Sequence, residues 1–98
     1  MPFVIETFDK PGHAHVRLRE SDVHLVYLEK NKALLVACGA KLNDDGSNAG
    51  GGVYVVDVDT REEAERFIAA DPFSLVDLFE RVPITDWRKA YVAGECYL

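Results

Sequence analysis

The feature that most constrains the fold of this chain is a hairpin legible in its central third. Leu34–Leu42 is a nearly continuous apolar run containing Gly39, which reads as a strand buried on both faces. It stops at Asn43-Asp44-Asp45-Gly46-Ser47-Asn48, the clearest turn signal in the sequence. Gly50-Gly51-Gly52 then leads into Val53–Val58 (VYVVDV), a β-branched and aromatic run that reads as a second strand. The two are expected to form a long antiparallel hairpin.

The flanking segments complete a regular order. Phe3–Phe8 (FVIETF) reads as a strand stopped by Lys10-Pro11-Gly12. Val16–Asn31 carries Val16, Val23, Val26, Tyr27 and Lys30 near helical spacing, with Leu25 and Leu28 widening the apolar stripe. This predicts an amphipathic helix that begins at Arg17 or is re-capped at Ser21. Thr60 before Arg61-Glu62-Glu63 is a capping box, and Ala64, Phe67 and Ile68 give a second helix its buried face. Asp71-Pro72 ends that helix, because proline disfavours the α conformation in the residue before it. Ser74–Glu80 predicts a short extra helix, and Val82–Val92 the last strand, with Trp87 and Tyr91 on it. The order β-α-β-β-α-β is the α+β, ferredoxin-like pattern: an antiparallel sheet with both helices on one face. The other face carries apolar residues that need a cover, and a second copy packed face to face would supply it.

Length and charge narrow the function. Ninety-eight residues make one domain, 1–98. A chain of this size buries roughly 60–65% of the surface its unfolded form exposes, so the core is thin and pairing is a natural remedy. The net charge is −6, with no lysine- or arginine-rich cluster. That disfavours nucleic acid and anionic membrane, which need a basic face to displace counterions. Two cysteines are too few for a disulfide scaffold; Cys38 reads as a small buried hydrophobe and Cys96 lies in a polar tail. No signal peptide, transit peptide or membrane-spanning run is read in the sequence, so the expected compartment is the cytoplasm.

Candidate chemistry centres on His24 and Asp71. Histidine is the side chain whose ordinary pKa lies near neutrality, and a carboxylate is its usual orienting partner in proton transfer. By helical spacing His24 shares a face with Arg17, Glu20 or Ser21, and Leu28. Arg17 could thus hold a substrate anion beside the base. The plain alternatives are an ordinary histidine on an amphipathic helix and a turn-capping aspartate before proline. His13 and His15 lie beside Pro11-Gly12 and read as exposed loop residues, so no metal site is expected. The glycine triplet precedes a strand, not a helix, and offers no ready phosphate site. The Asn43–Asn48 run has Tyr54 where a calcium loop would need its bidentate glutamate. No serine nucleophile motif is present, and neither cysteine has an adjacent base in sequence.

Several of these pieces together resemble the YciI-like family of small dimeric ferredoxin-like proteins. They are Asp9-Lys10 after the opening strand, Arg17 seven residues before His24-Leu25, and the Leu34–Gly39 strand with its glycine-flanked hairpin. Ala69-Ala70-Asp71-Pro72-Phe73, Leu78-Phe79-Glu80, and Trp87-Arg88-Lys89 before Tyr91 complete the set. The resemblance implies a dimeric α/β barrel with a pocket in each subunit, a histidine–aspartate pair at His24 and Asp71, and Arg17 as a third site residue. It also implies lyase, isomerase or dehydrochlorinase chemistry of the kind some relatives perform. The chain departs from the family pattern at Ser21-Asp22, where many relatives have Arg-Pro. It departs also at Gly51-Gly52, where they often have Gly-Ser, and at Ala40, where a proline commonly stands.

Three functions follow as expectations. The first is a cofactor-independent acid–base enzyme in which His24 takes a proton from a small anionic or hydroxylated substrate, supported by Asp71 and Arg17. The second is a non-catalytic, dimeric ligand-binding or accessory module with the same pocket. The third is a purely structural protein, which requires His24 and Asp71 to lie apart or on the outside.

Overall fold

The computed structural model describes residues 2–98. Strand β1 (Phe3–Asp9) leads to helix α1 (Ala14–Lys30), then to the hairpin of β2 (Leu35–Leu42) and β3 (Asn48–Val56). Helix α2 (Arg61–Ala69) and the one-turn helix α3 (Pro72–Leu75) follow, then β4 (Phe79–Arg81) and β5 (Ile84–Asp86). A small terminal hairpin, β6 (Tyr91–Val92) and β7 (Glu95–Cys96), ends the chain. The main sheet runs β2-β3-β1-β4, with β5 also paired to β1, and each of these pairings is antiparallel. With β4 and β5 counted as one interrupted strand, this is the expected ferredoxin-like order.

Register fixes which residues face the helices. Ile5 and Cys38 both lie opposite Tyr54, and Phe3 lies opposite Val56. Side chains alternate along a strand, so Phe3, Ile5, Tyr54 and Val56 share one face. There they form the core with Ala64, Phe67 and Ile68 of α2, while Tyr27 and Leu28 of α1 pack at its edge. A second cluster, Val16, Phe73 and Leu78, joins the start of α1 to α3. Thr60 caps α2, its side chain accepting the Glu63 N–H as the sequence predicts. Val4, Val53 and Val55 occupy the opposite face of the sheet and are only half-buried.

Helix α1 turns inward only part of the expected apolar stripe, Val16, Tyr27 and Leu28. Its inward stripe is Val16, Arg17, Glu20, Ser21, His24, Tyr27 and Leu28, a 3.6-residue repeat that is largely polar. Val23, Leu25 and Val26, expected on the buried face, are each more than half exposed. A helix turns polar groups inward only where they find partners or a cavity, and here they find both.

Other expectations are corrected. Strand β2 is not buried on both faces; Ala37 to Ala40 are exposed in the single chain, and so is Cys38, because β2 is the edge of the sheet and α1 stands back from it. The last strand ends at Asp86 and is broken at Val82-Pro83, since proline has no N–H for the ladder. Trp87 follows it, its N–H bonded to the Pro2 carbonyl, and Tyr91 belongs to the terminal hairpin. The short helix stops at Leu75 instead of running to Glu80: Asp77 takes a left-handed conformation (φ 57°) that turns the chain into β4. Of the two histidines expected to be exposed loop residues, His13 lies in the loop just before α1 but is half-buried, and His15 is exposed but lies in the first turn of the helix.

Candidate active site

Asp71 is built into its place by local chemistry. Proline at the first position of α3 holds Asp71 extended (φ −62°, ψ 134°), and its side chain caps the helix by accepting the Phe73 N–H. The same carboxylate is fully buried. Its Oδ1 accepts from the Phe73 backbone at 2.8 Å and its Oδ2 from the Tyr54 hydroxyl at 3.1 Å. Into the remaining lone pairs points His24 Nδ1, 3.0 Å from each oxygen. Among the described residues no buried side-chain polar atom lacks a partner.

The arrangement selects a tautomer. An ionised carboxylate only accepts, so neutral His24 carries its proton on Nδ1 and its lone pair on Nε2. The ring stacks on Phe73, centroids 4.1 Å apart and planes 19° from parallel, and meets the Tyr54 ring edge-on. With one nitrogen anchored and one face covered, the imidazole has a fixed direction. Its side chain remains 12% exposed, which leaves Nε2 reachable.

His24 lines a cavity of about 910 Å³ between α1 and the β2–β3 hairpin. The helix contributes Arg17, Ser21, His24 and Leu28; the hairpin contributes Cys38, Tyr54 and a stretch nearly free of side chains at Gly39, Ala40, Gly50 and Gly52. The middle glycine of the triplet answers to strand packing instead. At Gly51 (φ 150°) a β-carbon would fall 1.9 Å from the Thr7 carbonyl oxygen, so strands β1 and β3 could not approach as they do.

Arg17 lines the cavity too, but its charge is already engaged. Nε and Nη2 grip the two oxygens of Asp9 at 2.6 and 3.0 Å, a bidentate pair that is mostly buried. Its guanidinium also lies 4.6 Å from the centre of the Phe73 ring. Lys10, the other cation on the wall, is bound to Asp77.

Burial first, and the charge of Asp71 second, set the electrostatics of the site. Burial, then the charge of Asp71, raises the Tyr54 phenol well above its ordinary range, and the same two causes raise Tyr27. Burial and then Asp71 push the Cys38 thiol up to about 11. Although the residue is exposed by surface area, its position on the cavity wall is what shields it. All three groups therefore stay protonated at neutral pH. His13 and His15 stack on one another, 6.2 Å apart, and no cluster among the described residues could hold a metal ion.

His24 and Asp71 are thus brought together across 47 residues of sequence, whereas the structural reading requires them to lie apart. Tyr54 was legible only as a strand residue, because its bond to Asp71 arises from strand register. The Asp9 counterion of Arg17 carried a partial signal, since Asp9-Lys10 had been singled out as a motif.

Fold and site define a ferredoxin-like α+β domain whose helix-side cavity is lined by a carboxylate-anchored histidine. The chain belongs to the YCII-related domain family, whose model matches residues 1–88. Among solved structures it is similar to 5-chloro-2-hydroxyhydroquinone dehydrochlorinase (TftG) from Burkholderia phenoliruptrix AC1100, in complex with 2,5-dihydroxybenzoquinone. The identity is 30%, the TM-score 0.82, and the match covers 90% of this chain and 94% of that one. A protein from Arabidopsis thaliana, At3g17210, matches at 14% identity and a TM-score of 0.48 over 94% of this chain and 97% of that one. No curated protein matches. Among the described residues no helix is long and apolar enough to cross a membrane.

Proposed function

We propose that this protein is a cofactor-independent acid–base enzyme of the lyase, isomerase or dehydrochlorinase type acting on a small hydroxylated ring compound. The observation that carries the reading is the hydrogen bond from Nδ1 of the cavity-lining His24 to the buried Asp71. His24 Nε2 takes a proton from the substrate, and Asp71 holds the tautomer and balances the imidazolium that forms. Loss of hydrogen chloride removes a proton and a chloride from one molecule, so such a reaction needs a base but no external electron acceptor. The likeness to a dehydrochlorinase holding a dihydroxybenzoquinone supports this substrate class.

The state of the wall cations refines the choice between anionic and hydroxylated substrates. Arg17 and Lys10 are both neutralised by aspartates, and Asp71 adds a negative charge behind the ring. A carboxylate substrate would enter without a free countercharge, whereas a neutral phenol or enol would not need one. In this reading Arg17 keeps N–H groups beyond those given to Asp9 and directs one at a substrate oxygen. The protein acts as a homodimer, the second copy covering the sheet face that bears Val4, Val53 and Val55.

Asp71→Asn is the direct test. An amide in place of the carboxylate can donate to Nδ1, moving the imidazole proton to Nε2 and removing the base. Turnover of chlorinated hydroquinones, followed by chloride release, should fall by about 10³–10⁴-fold, the loss typical of an orienting carboxylate. Imidazole ¹⁵N shifts should report the exchange of tautomers. Full activity in the variant would sink the proposal.

A further inference from the structure

We propose that Tyr54 is a positioning residue that sets how strong a base His24 is, by donating its hydroxyl hydrogen to Asp71. The inference rests on the acid–base reading of the same site and adds a third member to it.

Geometry gives each carboxylate oxygen one fixed donor besides the imidazole: the Phe73 N–H on Oδ1 and the Tyr54 hydroxyl on Oδ2. The backbone donor is imposed by the cap of α3. The phenol is not; it reaches Asp71 from the middle of β3, where any apolar residue would satisfy the core. Tyr54 is 3% exposed, and Asp71 is the acceptor its hydroxyl finds. Every hydrogen bond a carboxylate accepts disperses its charge and weakens its hold on a neighbouring imidazolium. Tyr54 thereby shares with His24 the charge of the one carboxylate that both of them contact. The phenol stays protonated at working pH, so it remains a donor throughout.

The other ionisable groups facing the pair would not supply the same effect. Arg17 of α1 is closed on Asp9 of β1, Tyr27 of α1 donates to the Phe67 carbonyl, Cys38 of β2 remains a neutral thiol, and Glu80 lies on the cavity wall. Among these neighbours, the Tyr54 hydroxyl is the side-chain donor bonded to Asp71 besides His24 itself.

The test compares wild type with Tyr54→Phe and with site-specific fluorotyrosine at position 54, whose more acidic phenol donates more strongly. In Tyr54→Phe the His24 Nδ1–H proton signal should move downfield and the acid limb of the kcat/KM profile to higher pH. On the acid side kcat/KM should drop about tenfold for each pH unit the limb moves, with the plateau retained. Fluorotyrosine should shift both readouts the opposite way. A merely structural tyrosine would lower activity evenly across pH and leave the Nδ1–H signal in place. If the signal is unmoved in both variants, the inference is overturned. Opposite proton shifts in a protein that turns over no hydroxylated ring would uphold the coupling and refute the enzymatic reading, so the two failures are distinguishable.

Discussion

At the scale of residues, the site is a set of protonation states imposed first by burial and then by the charge of Asp71. Cys38 illustrates it: a thiol raised to about 11 is neutral at pH 8 and a poor nucleophile. Iodoacetamide labelling of Cys38 should be slow at pH 8 in the folded protein, speed up toward pH 11, and become fast on unfolding, as read by peptide mass spectrometry. Rapid labelling of the native protein at pH 8 would contradict the shielding by the cavity wall. Tyr54 makes the corresponding statement about stability. Its folded pKa lies above the ordinary 10.0, so above pH 10 the unfolded chain releases a proton that the folded chain retains. Stability is therefore lost as pH rises past 10. Tyr54→Phe should flatten that alkaline limb in urea titrations while costing about 1.5–3 kcal/mol at pH 7, the range for a hydrogen bond to a charged group. Of these site residues the sequence marked His24, Asp71 and Arg17, because each belongs to a local pattern. It marked neither Tyr54 as a donor nor Cys38 as cavity-lining, since both facts depend on what lies across the sheet.

Elements were legible where their signals are local. The Thr60 capping box, the Asp71-Pro72 corner and the Asn43–Asn48 turn all sit where expected, because each is decided by bonds within a few residues. In helix α1 the periodicity locates Val16, Tyr27 and Leu28 on the inward face but misplaces Val23, Leu25 and Val26, since it assumes that the inward side is apolar and this one borders a cavity. The glycine triplet was expected to precede β3 and instead lies inside it. Gly51→Ala tests why. With a β-carbon 1.9 Å from the Thr7 oxygen, strands β1 and β3 must part, and thermal unfolding should show a loss of more than about 3 kcal/mol. Gly39→Ala is its control: a β-carbon there meets nothing within 4 Å, and stability should change by less than about 0.5 kcal/mol.

At the scale of the whole molecule, one half-buried sheet face remains to be accounted for. Val4, Val53 and Val55 line it, while the helices cover only the other side. Face-to-face pairing would shield them as a sheet in a two-sheet core is shielded. Light scattering after gel filtration should give twice the 10.9 kDa chain mass. Val53→Arg should give a monomer whose circular dichroism is unchanged. A wild-type monomer at micromolar concentration would remove the dimer from the proposal.

The sequence by itself determined the order of strands and helices, the capped ends and the residue types available for proton transfer. Those follow from steric and hydrogen-bonding rules that act over a handful of positions. Tertiary structure alone decided that His24 meets Asp71, that Tyr54 joins them, and that Asp9 takes the charge of Arg17. These contacts span 47, 17 and 8 residues. The longest is fixed by how α1 lies against α3, the next by strand register, and the shortest by the path of the chain from β1 into α1. None of these is encoded in a local pattern.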